Sequence, residues 1–212
     1  MPKPGGSPST KWTGTKSNDL AQVASVDALK QTTYDGAAGY DTFDLSALTS
    51  GVTLSVNLNS PGTSRVWAES PFHGSWWTYI FGPFPGAVAE NTIKNFEKII
   101  GTDHNDYITF NGGTVARVVD GGGGDDAIQM GSSTGTSTMI GGLGSDQLFG
   151  SRNTNVLVGG TLIGSSTTED DTPDTFTMSS GTILDFRVGV DTLYIDGGPT
   201  NANWVDVDTN YG

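Results

Sequence analysis

The stretch that decides the fold is GTDHNDYITFNGGTVARVVDGGGGDDAIQMGSSTGTSTMIGGLGSDQLF, residues 101–149. It divides into units of nine or ten residues, each with a polar, glycine-rich front and a short apolar back. The pattern continues through GSRNTNVLV (150–158) into GGTLIG (159–164). A short fixed period is typical of folds in which each unit buries its apolar side against its neighbours. The stretch therefore predicts stacked turns joined by short parallel strands.

The apolar back of each unit predicts a three-residue strand with one side chain pointing into a narrow core. In alternate units this side chain is Ile108, Ile128 or Leu148. Two units make one coil, so equivalent turns recur every second unit. These turns begin at Gly101, Gly121, Gly141 and Gly159.

The fronts of the same alternate units carry an aspartate as their sixth residue. Residues 121–128 and 141–148 match the pattern G-G-x-G-x-D-x-U-x in full, and 101–108 is a near match with Thr102 in the second position. Glycines permit a tight turn with inward carbonyl oxygens, and the aspartate adds a carboxylate. Two stacked turns can offer about six oxygens, the number that Ca²⁺ prefers. The pattern therefore predicts calcium between turns.

The predicted calcium ligands of this stretch are turn carbonyls and carboxylates. They are Thr102, His104, Asp106, Gly121, Gly123, Gly124, Asp126, Gly142, Gly144 and Asp146. The intervening turns at 111–114, 131–136 and 150–155 hold no aspartate. We therefore expect calcium only on the edge that carries Asp106, Asp126 and Asp146 in a column. The alternative is a glycine-rich parallel fold whose carboxylates are merely solvated.

The composition of the whole chain agrees with a turn-rich β protein. Its 212 residues include 31 glycines and 23 acidic residues, and 19 of the acids are aspartate. Turns favour aspartate whereas helices favour glutamate. The formal net charge of −13 argues against a protein that binds nucleic acid or docks on anionic membranes. Such a surface attracts cations instead.

Several other classes of protein are disfavoured by the sequence. The chain has no cysteine, which excludes disulfides and thiolate metal sites. No apolar run approaches the ~18 residues of a membrane span. The first twenty residues contain only Met1, Trp12 and Leu20 as large apolar side chains, so we expect no cleaved secretory signal.

The residues before the repeats are less regular. Residues 1–11 are rich in Pro, Gly, Ser and Lys and predict a flexible arm. LAQVASVDAL (20–29) predicts one short helix, and the alternation in GVTLSVNLN (51–59) predicts a half-buried strand.

An aromatic insertion, residues 65–86, differs in composition from its surroundings. It holds seven of the twenty aromatic residues and three of the five tryptophans. We expect the insertion to pack over an open end or face of the fold, which needs protection against edge pairing. Exposed Trp76, Trp77, Tyr79 and Phe81 would instead suit a sugar or a partner subunit.

From about Lys11 to Asp196 the chain resembles the carboxy-terminal β-roll domain of serralysin-type metalloproteases, a branch of the RTX family. The segments that carry the resemblance, besides the repeats, are WTGTKSND (12–19), YDGAAGYDTFDLS (34–46), NTIKNFEKIIGTDHND (91–106) and ILDFRVGVDTLYID (183–196). The resemblance implies an all-β fold with an amino-terminal β subdomain at 12–100. A right-handed parallel β-roll with a carboxy-terminal cap would follow at 101–196, and a tail at 197–212.

The same resemblance implies further calcium ligands. The 12–19 loop would lend carbonyl oxygens to a first calcium ion, which the second loop would close. The ligands implied in that loop and in the cap are Asp35, Gly39, Asp41, Asp185 and Asp191. From its place before Thr175, Asp174 is expected to replace the aspartate missing from 159–164.

No catalytic residues are predicted. No G-x-S-x-G motif surrounds Ser75 beside His73, and the chain lacks the HExxH motif of the proteases that it resembles. The carboxylate pairs Asp125–Asp126 and Asp170–Asp171 belong to a turn and a loop, and we expect them to be structural rather than catalytic.

The expected function is that of a non-catalytic, secreted module that folds on binding several extracellular Ca²⁺ ions. Metal binding to a site absent from the unfolded chain contributes directly to folding. The expected location is extracellular or at the cell surface, through type I secretion. Two alternatives stay open: a homo-oligomeric surface-assembly or adhesive subunit, and a module that binds surface polysaccharide through residues 65–86.

Overall fold

The computed structural model describes residues 10–57, 65–68, 89–90, 93–111, 116–131, 135–150, 154–168 and 170–195. Within these ranges the chain is all-β with parallel sheets, and its one α-helix has six residues. That helix is too short to cross a membrane. The predicted arm overlaps the first strand, because Thr10 and Lys11 already belong to it.

The strands of the first half are β1 (Thr10–Thr13), β2 (Leu20–Gln22), β3 (Thr32–Asp35), β4 (Thr42–Asp44), β5 (Val52–Asn57), β6 (Arg65–Ala68), β7 (Ala89–Glu90), β8 (Ile93–Lys94) and β9 (Lys98–Ile100). Those of the second half are β10 (Tyr107–Asn111), β11 (Arg117–Gly123), β12 (Ala127–Met130), β13 (Ser137–Leu143), β14 (Gln147–Phe149), β15 (Asn155–Val158), β16 (Thr161–Ile163), β17 (Ser166–Thr168), β18 (Thr175–Met178), β19 (Gly181–Ile183) and β20 (Thr192–Ile195).

Two large sheets contain most of the strands. The first has the order β20-β18-β14-β12-β10-β5-β6-β7, and the second has the order β19-β15-β13-β11-β9-β4-β2. All neighbours pair in parallel except β5–β6 and β6–β7, which are antiparallel. From β9 onward successive strands alternate between the two sheets, apart from the antiparallel hairpin β16–β17. A smaller parallel sheet contains β1, β3 and β8.

The core is built from one apolar column in each large sheet. In the first sheet, Ile108, Ile128 and Leu148 lie in register and are fully buried, as the repeat pattern predicts. In the second sheet, Val119 and Met139 are in register and equally buried. Each such side chain stabilises the fold by roughly 1.5–3 kcal/mol.

The residues before the repeats continue both sheets. Phe43 of β4 pairs with Ile99 of β9, and Leu54 of β5 pairs with Ile108 of β10. Phe43 is fully buried and packs edge-on against Tyr34, with ring centroids 5.0 Å apart. The two large sheets and the core are therefore continuous across the predicted boundary between residues 100 and 101.

The helix α1 (Val26–Gln31) lies further along the chain than predicted. The hydroxyl of Ser25 caps it by accepting a hydrogen bond from the Ala28 N–H at 3.1 Å. Residues 20–22 of the predicted helix instead form β2, which pairs with β4. The prediction was wrong there because sheet pairing outweighs a weak helical propensity.

The predicted strand at 51–59 is observed as β5, with deeper burial than its alternation suggests. Val52 and Leu54 are fully buried, but Thr53 on the other face is also only 1% exposed. Residues 58 and 59 lie outside the described part of the chain. So do residues 69–86 of the aromatic insertion, with His73 and Ser75, and the predicted tail at 197–212.

Candidate metal centre

The turns that lead into β10, β12, β14, β18 and β20 of the first sheet each end in an aspartate immediately before the strand. Strand register places these residues in one column, here called the first edge. Its members are Asp106, Asp126, Asp146, Asp174 and Asp191. The first three were predicted to align, and Asp174 continues their column as expected.

A ladder of hydrogen bonds connects these aspartates. The N–H of Asp106 donates to Oδ1 of Asp126 at 2.7 Å, and the N–H of Asp126 donates to Oδ1 of Asp146 at 2.8 Å. The N–H of Asp146 then donates to Oδ1 of Asp174 at 2.9 Å. One oxygen of each carboxylate is thus held by the preceding turn, which fixes the side-chain orientation.

The second carboxylate oxygens of Asp126 and Asp146 are buried and have no hydrogen-bond partner in the described structure. Both residues are almost fully buried, with at most 1% of their surface exposed. A Cβ built on Gly121 would lie 2.2 Å from Asp126 Oδ2 and 2.6 Å from the Gly141 carbonyl oxygen. Asp126 Oδ2 and the Gly141 carbonyl oxygen therefore both pack closely against the Gly121 backbone, and Asp126 Oδ2 has no donor there.

The turn that begins at Gly141 repeats this arrangement. A Cβ on Gly141 would lie 2.1 Å from Asp146 Oδ2 and 2.5 Å from the Gly159 carbonyl oxygen. A buried acceptor without a partner costs about 1–3 kcal/mol, and more when it is charged. A positive ion bound to either unpartnered Oδ2 would remove that cost, so both carboxylates are candidate ligands of a hard cation.

Burial changes the proton affinity of these carboxyl groups. Burial, reinforced by the neighbouring carboxylates of Asp106 and Asp146, raises the pKa of Asp126 to about 10. Burial raises the pKa of Asp146 to about 9 and that of Asp174 to about 7. Each group therefore needs either a proton or a metal ion as a counter-charge at neutral pH.

Asp106, at the start of the first edge, is better satisfied by the protein. The Thr102 N–H donates to Asp106 Oδ2 at 2.6 Å, and the Thr102 hydroxyl lies 3.1 Å from Asp106 Oδ1. Burial raises the pKa of Asp106 only to about 6, because these hydrogen bonds oppose it. The exposed His104 contributes a backbone acceptor: its carbonyl oxygen accepts from the Thr102 hydroxyl at 3.1 Å.

The glycines of the turns allow the turns to stack closely. Gly142 has φ +112°, and a Cβ there would lie 2.1 Å from the Gly122 carbonyl oxygen. Gly144 has φ +122°, and its Cβ would lie 2.2 Å from the Gly124 carbonyl oxygen. Larger residues would force successive turns apart. Gly123 differs, because its Cβ would come no closer than 3.7 Å to another atom.

The far end of the first edge is closed by backbone donors. A Cβ on Gly159 would lie 2.0 Å from Asp174 Oδ2, so Asp174 takes the place that Asp146 has beside Gly141. The β16–β17 hairpin lies between Gly159 and Asp174 in the chain. Asp185 accepts from the N–H groups of Gly159 and Gly160, both at 2.9 Å. Asp191 accepts from the N–H groups of Asp174 at 3.1 Å and Arg187 at 2.7 Å.

A second acidic ladder, which we did not predict as a whole, lies on the turns that lead into the second sheet. The Asp19 N–H donates to Asp41 Oδ1 at 2.8 Å, and the Asp41 N–H donates to Glu97 Oε2 at 2.9 Å. Asp41 is fully buried, and its Oδ2 has no partner in the described residues. A Cβ on Gly36 would lie 2.8 Å from that oxygen and 2.0 Å from the Asn95 carbonyl oxygen. This second edge therefore repeats the donor-poor geometry of the first.

Of the ligands implied for the second loop, the structure brings Gly39 and Asp41 together. Gly39 has φ +145°, and its Cβ would lie 2.5 Å from the Ser17 carbonyl oxygen and 3.1 Å from Asp41 Oδ1. The Asp35 carboxylate is already engaged by Lys94 at 3.0 Å and by Asn95 at 2.7 Å. Burial alone would raise the pKa of Asp35, but these two partners outweigh it and lower the pKa.

A repeated hexapeptide marks the beginning of both edges. GTKSND (14–19) and GTDHND (101–106) share the pattern G-T-x-x-N-D. In both, the threonine N–H donates to Oδ2 of the aspartate four residues later at 2.6 Å. In both, the asparagine side chain accepts from a backbone N–H of the next turn, at 3.0 and 2.9 Å. This repeat is the sequence signal by which Asp19 could have been predicted.

Carboxylates alone do not complete a metal site here. Across the residues that the structure describes, no three His, Cys, Asp or Glu side chains form a group able to hold a metal ion. A cation on either edge would need backbone carbonyl oxygens as additional ligands. Ca²⁺ accepts such mixed oxygen ligands readily.

No protein-family model matches the chain. No curated protein matches it significantly. What bears on function is therefore the geometry of the two edges.

Proposed function

We propose that the chain is a calcium-binding module of the RTX type, a right-handed parallel β-roll whose stacked acidic turns bind Ca²⁺. The observation that carries the proposal is the pair of buried, unpartnered Oδ2 atoms on Asp126 and Asp146. Each lies near a turn carbonyl oxygen, at the backbone of the glycine that begins its turn. A hard cation bound to Oδ2 supplies the counter-charge that the protein lacks there.

Calcium fits this place better than other common metal ions. The available donors are carboxylate and carbonyl oxygens, whereas Zn²⁺ favours cysteine and histidine. Mg²⁺ demands near-ideal octahedral geometry and keeps several of its waters, which suits a site made largely of backbone carbonyls poorly. Ca²⁺ accepts six to eight oxygens in flexible arrangements.

Calcium binding of this kind would be coupled to folding. The ladder aspartates converge only when the turns stack, so their metal affinity belongs to the folded state. With a net charge of −13, the chain repels itself where calcium is scarce and folds where calcium is abundant. We therefore propose a non-catalytic module that acts outside the cell or at its surface, reached by type I secretion.

The direct test is the number of calcium ions bound per chain, measured by competition with a chromophoric chelator. Wild type is expected to bind calcium in preference to magnesium, and Asp126→Asn is expected to bind fewer ions. Asp125→Asn is the matched control. Asp125 is exposed and its Oδ1 accepts from the Ser145 N–H at 2.9 Å, which asparagine can preserve. Equal calcium counts in all three proteins would contradict the proposal.

The assembly and polysaccharide alternatives depend mainly on the aromatic insertion. Residues 69–86 lie outside the described part of the chain, so no contact there favours either alternative. Both stay predictions. Loss of glycan binding in Trp76→Ala, or sedimentation as an oligomer with calcium, would support one or the other.

A further inference from the structure

Arg117 follows the acids of the second edge in register. The pairing of β9 with β11 aligns Val118 with Lys98, so Arg117 stands beside Glu97 as Asp126 stands beside Asp106. Further along, the same position holds Ser137 and Asn155. The charges along this edge therefore change from three acids to one cation and then to neutral residues.

The Arg117 side chain is buried against the end of the ladder. Only 6% of it is exposed, and its Nη1 lies 3.7 Å from Glu97 Oε1. The other oxygen of that carboxylate, Oε2, accepts the Asp41 N–H. One carboxylate thus connects the guanidinium to the ladder.

Two further contacts hold the guanidinium in place. Its carbon lies 5.7 Å from the centroid of the Phe110 ring, a cation–π distance. Its Nη1 also donates to the Ala116 carbonyl oxygen at 3.3 Å. Arginine suits this position because it stays charged when buried and its planar group stacks on an aromatic face.

The first edge ends in a similar way. The guanidinium of Arg187 lies 3.1 Å from Asp171 and 4.0 Å from Asp191, the last aspartate of that ladder. Its Nη2 also donates to the Thr172 carbonyl oxygen. Each ladder thus begins with a G-T-x-x-N-D turn, in which threonine satisfies the carboxylate, and ends beside an arginine.

We infer that the Arg117 guanidinium is the permanent cation of the second edge. It neutralises Glu97, so the ladder ends there and calcium on this edge binds only beside Asp19 and Asp41. The inference rests on the proposed calcium function, because it assigns which turns need a metal ion. Arg117 supplies the counter-charge for the Glu97 carboxylate. The residues that follow in this column, Ser137 and Asn155, are neutral and require no counter-charge.

The test compares Arg117→Met, Glu97→Gln and the double variant, with the calcium midpoint of folding followed by far-UV circular dichroism. Methionine keeps most of the buried volume, and glutamine keeps the acceptor for the Asp41 N–H. Arg117→Met should raise the calcium midpoint about tenfold or more, because Glu97 loses its counter-charge. The double variant should return to within about twofold of wild type, because no charge is left uncompensated.

Lys98→Met is the matched control. Lys98 adjoins Glu97 but pairs with Asp120 at 3.5 Å in a partly exposed ion pair outside the ladder, so its loss should raise the midpoint by less than about threefold. An unchanged midpoint in Arg117→Met, or a double variant as impaired as Arg117→Met, would overturn the inference. If Arg117→Met does not fold at any calcium concentration, folding of the double variant supports the inference and its failure overturns it.

The same proteins separate this inference from the proposed function. A wild type that does not respond to calcium would refute the calcium function. Melting temperatures in chelator would then still measure the coupling between Glu97 and Arg117. A coupling near zero would overturn the role of Arg117 independently of calcium.

Discussion

Asp126 shows at the scale of one residue why the turns require a positive charge. Its Oδ1 accepts the Asp106 N–H, while its buried Oδ2 has no donor and faces the region of the Gly141 carbonyl oxygen. Neutralising this side chain should therefore have opposite effects on calcium affinity and on stability without calcium.

Asp126→Asn should make the chelated protein more stable. Asparagine keeps the acceptor for the Asp106 N–H and puts an amide N–H₂ in place of the oxygen that lacks a donor. The expected gain is about 1–2 kcal/mol, so the β signal in chelator should persist to a higher pH than in wild type. Far-UV circular dichroism in chelator measures it, with Asp125→Asn as the control. A β signal lost at a lower pH than in wild type would contradict this explanation of Asp126.

The sequence predicts some of these residues and not others, for physical reasons. The repeat period is enough to align Asp106, Asp126 and Asp146, because one residue type recurs at one place in each turn. It does not predict Arg117, whose role depends on the pairing of β9 with β11 and on the burial of Glu97. Which carboxylate oxygen lacks a donor also depends on the observed hydrogen bonds.

At the scale of the element, the turns contain the proposed calcium ligands. Two glycines of the turn that begins at Gly121 differ in the space around them. Gly121 lies against Asp126 Oδ2, so a methyl group there would displace the carboxylate oxygen proposed as a calcium ligand. Gly123 lies in the same turn, and a methyl group there would make only ordinary contacts.

Gly121→Ala should therefore abolish the calcium response of its turn and destabilise the calcium-bound protein by on the order of 3 kcal/mol. Gly123→Ala should keep the response and change stability by less than about 1 kcal/mol. Chemical denaturation with and without calcium measures both variants. Equal losses in the two variants would mean that the turn is sensitive to any added bulk and that Gly121 has no particular relation to an ion.

At the same scale, regular repeats predict elements better than local propensity does. The strands at Ile108, Ile128 and Leu148 follow from a pattern repeated along the chain, and all three side chains are fully buried. The predicted helix at 20–29 was based on the residues of a single segment, without a repeat elsewhere in the chain to support it. Its first residues form β2 because β4 offers a parallel partner for Leu20–Gln22.

For the whole molecule, the high pKa values make stability depend on pH in an unusual direction. Without calcium, the folded protein holds protons on Asp126 and Asp146 up to pKa values of about 10 and about 9. The unfolded chain releases those protons near pH 4. Between these limits the folded state binds more protons, so its free energy of unfolding falls as pH rises.

In chelator the β signal should therefore be present near pH 5 and be lost as the pH rises towards 9. Saturating calcium should remove this dependence, because the ion replaces the protons on the same carboxylates. Far-UV circular dichroism across that range measures the effect, above the isoelectric point near 4.2. A β signal in chelator that increases with pH would mean that these carboxylates are ionised without a counter-ion.

The central claim is that calcium neutralises the buried ladders and thereby drives folding of the whole chain. Its most direct test is far-UV circular dichroism of the chelated protein at pH 8, followed by calcium titration of the same sample. We predict a cooperative gain of β signal with calcium that magnesium does not reproduce. Full β signal already present in chelator, unchanged by calcium, would contradict the claim.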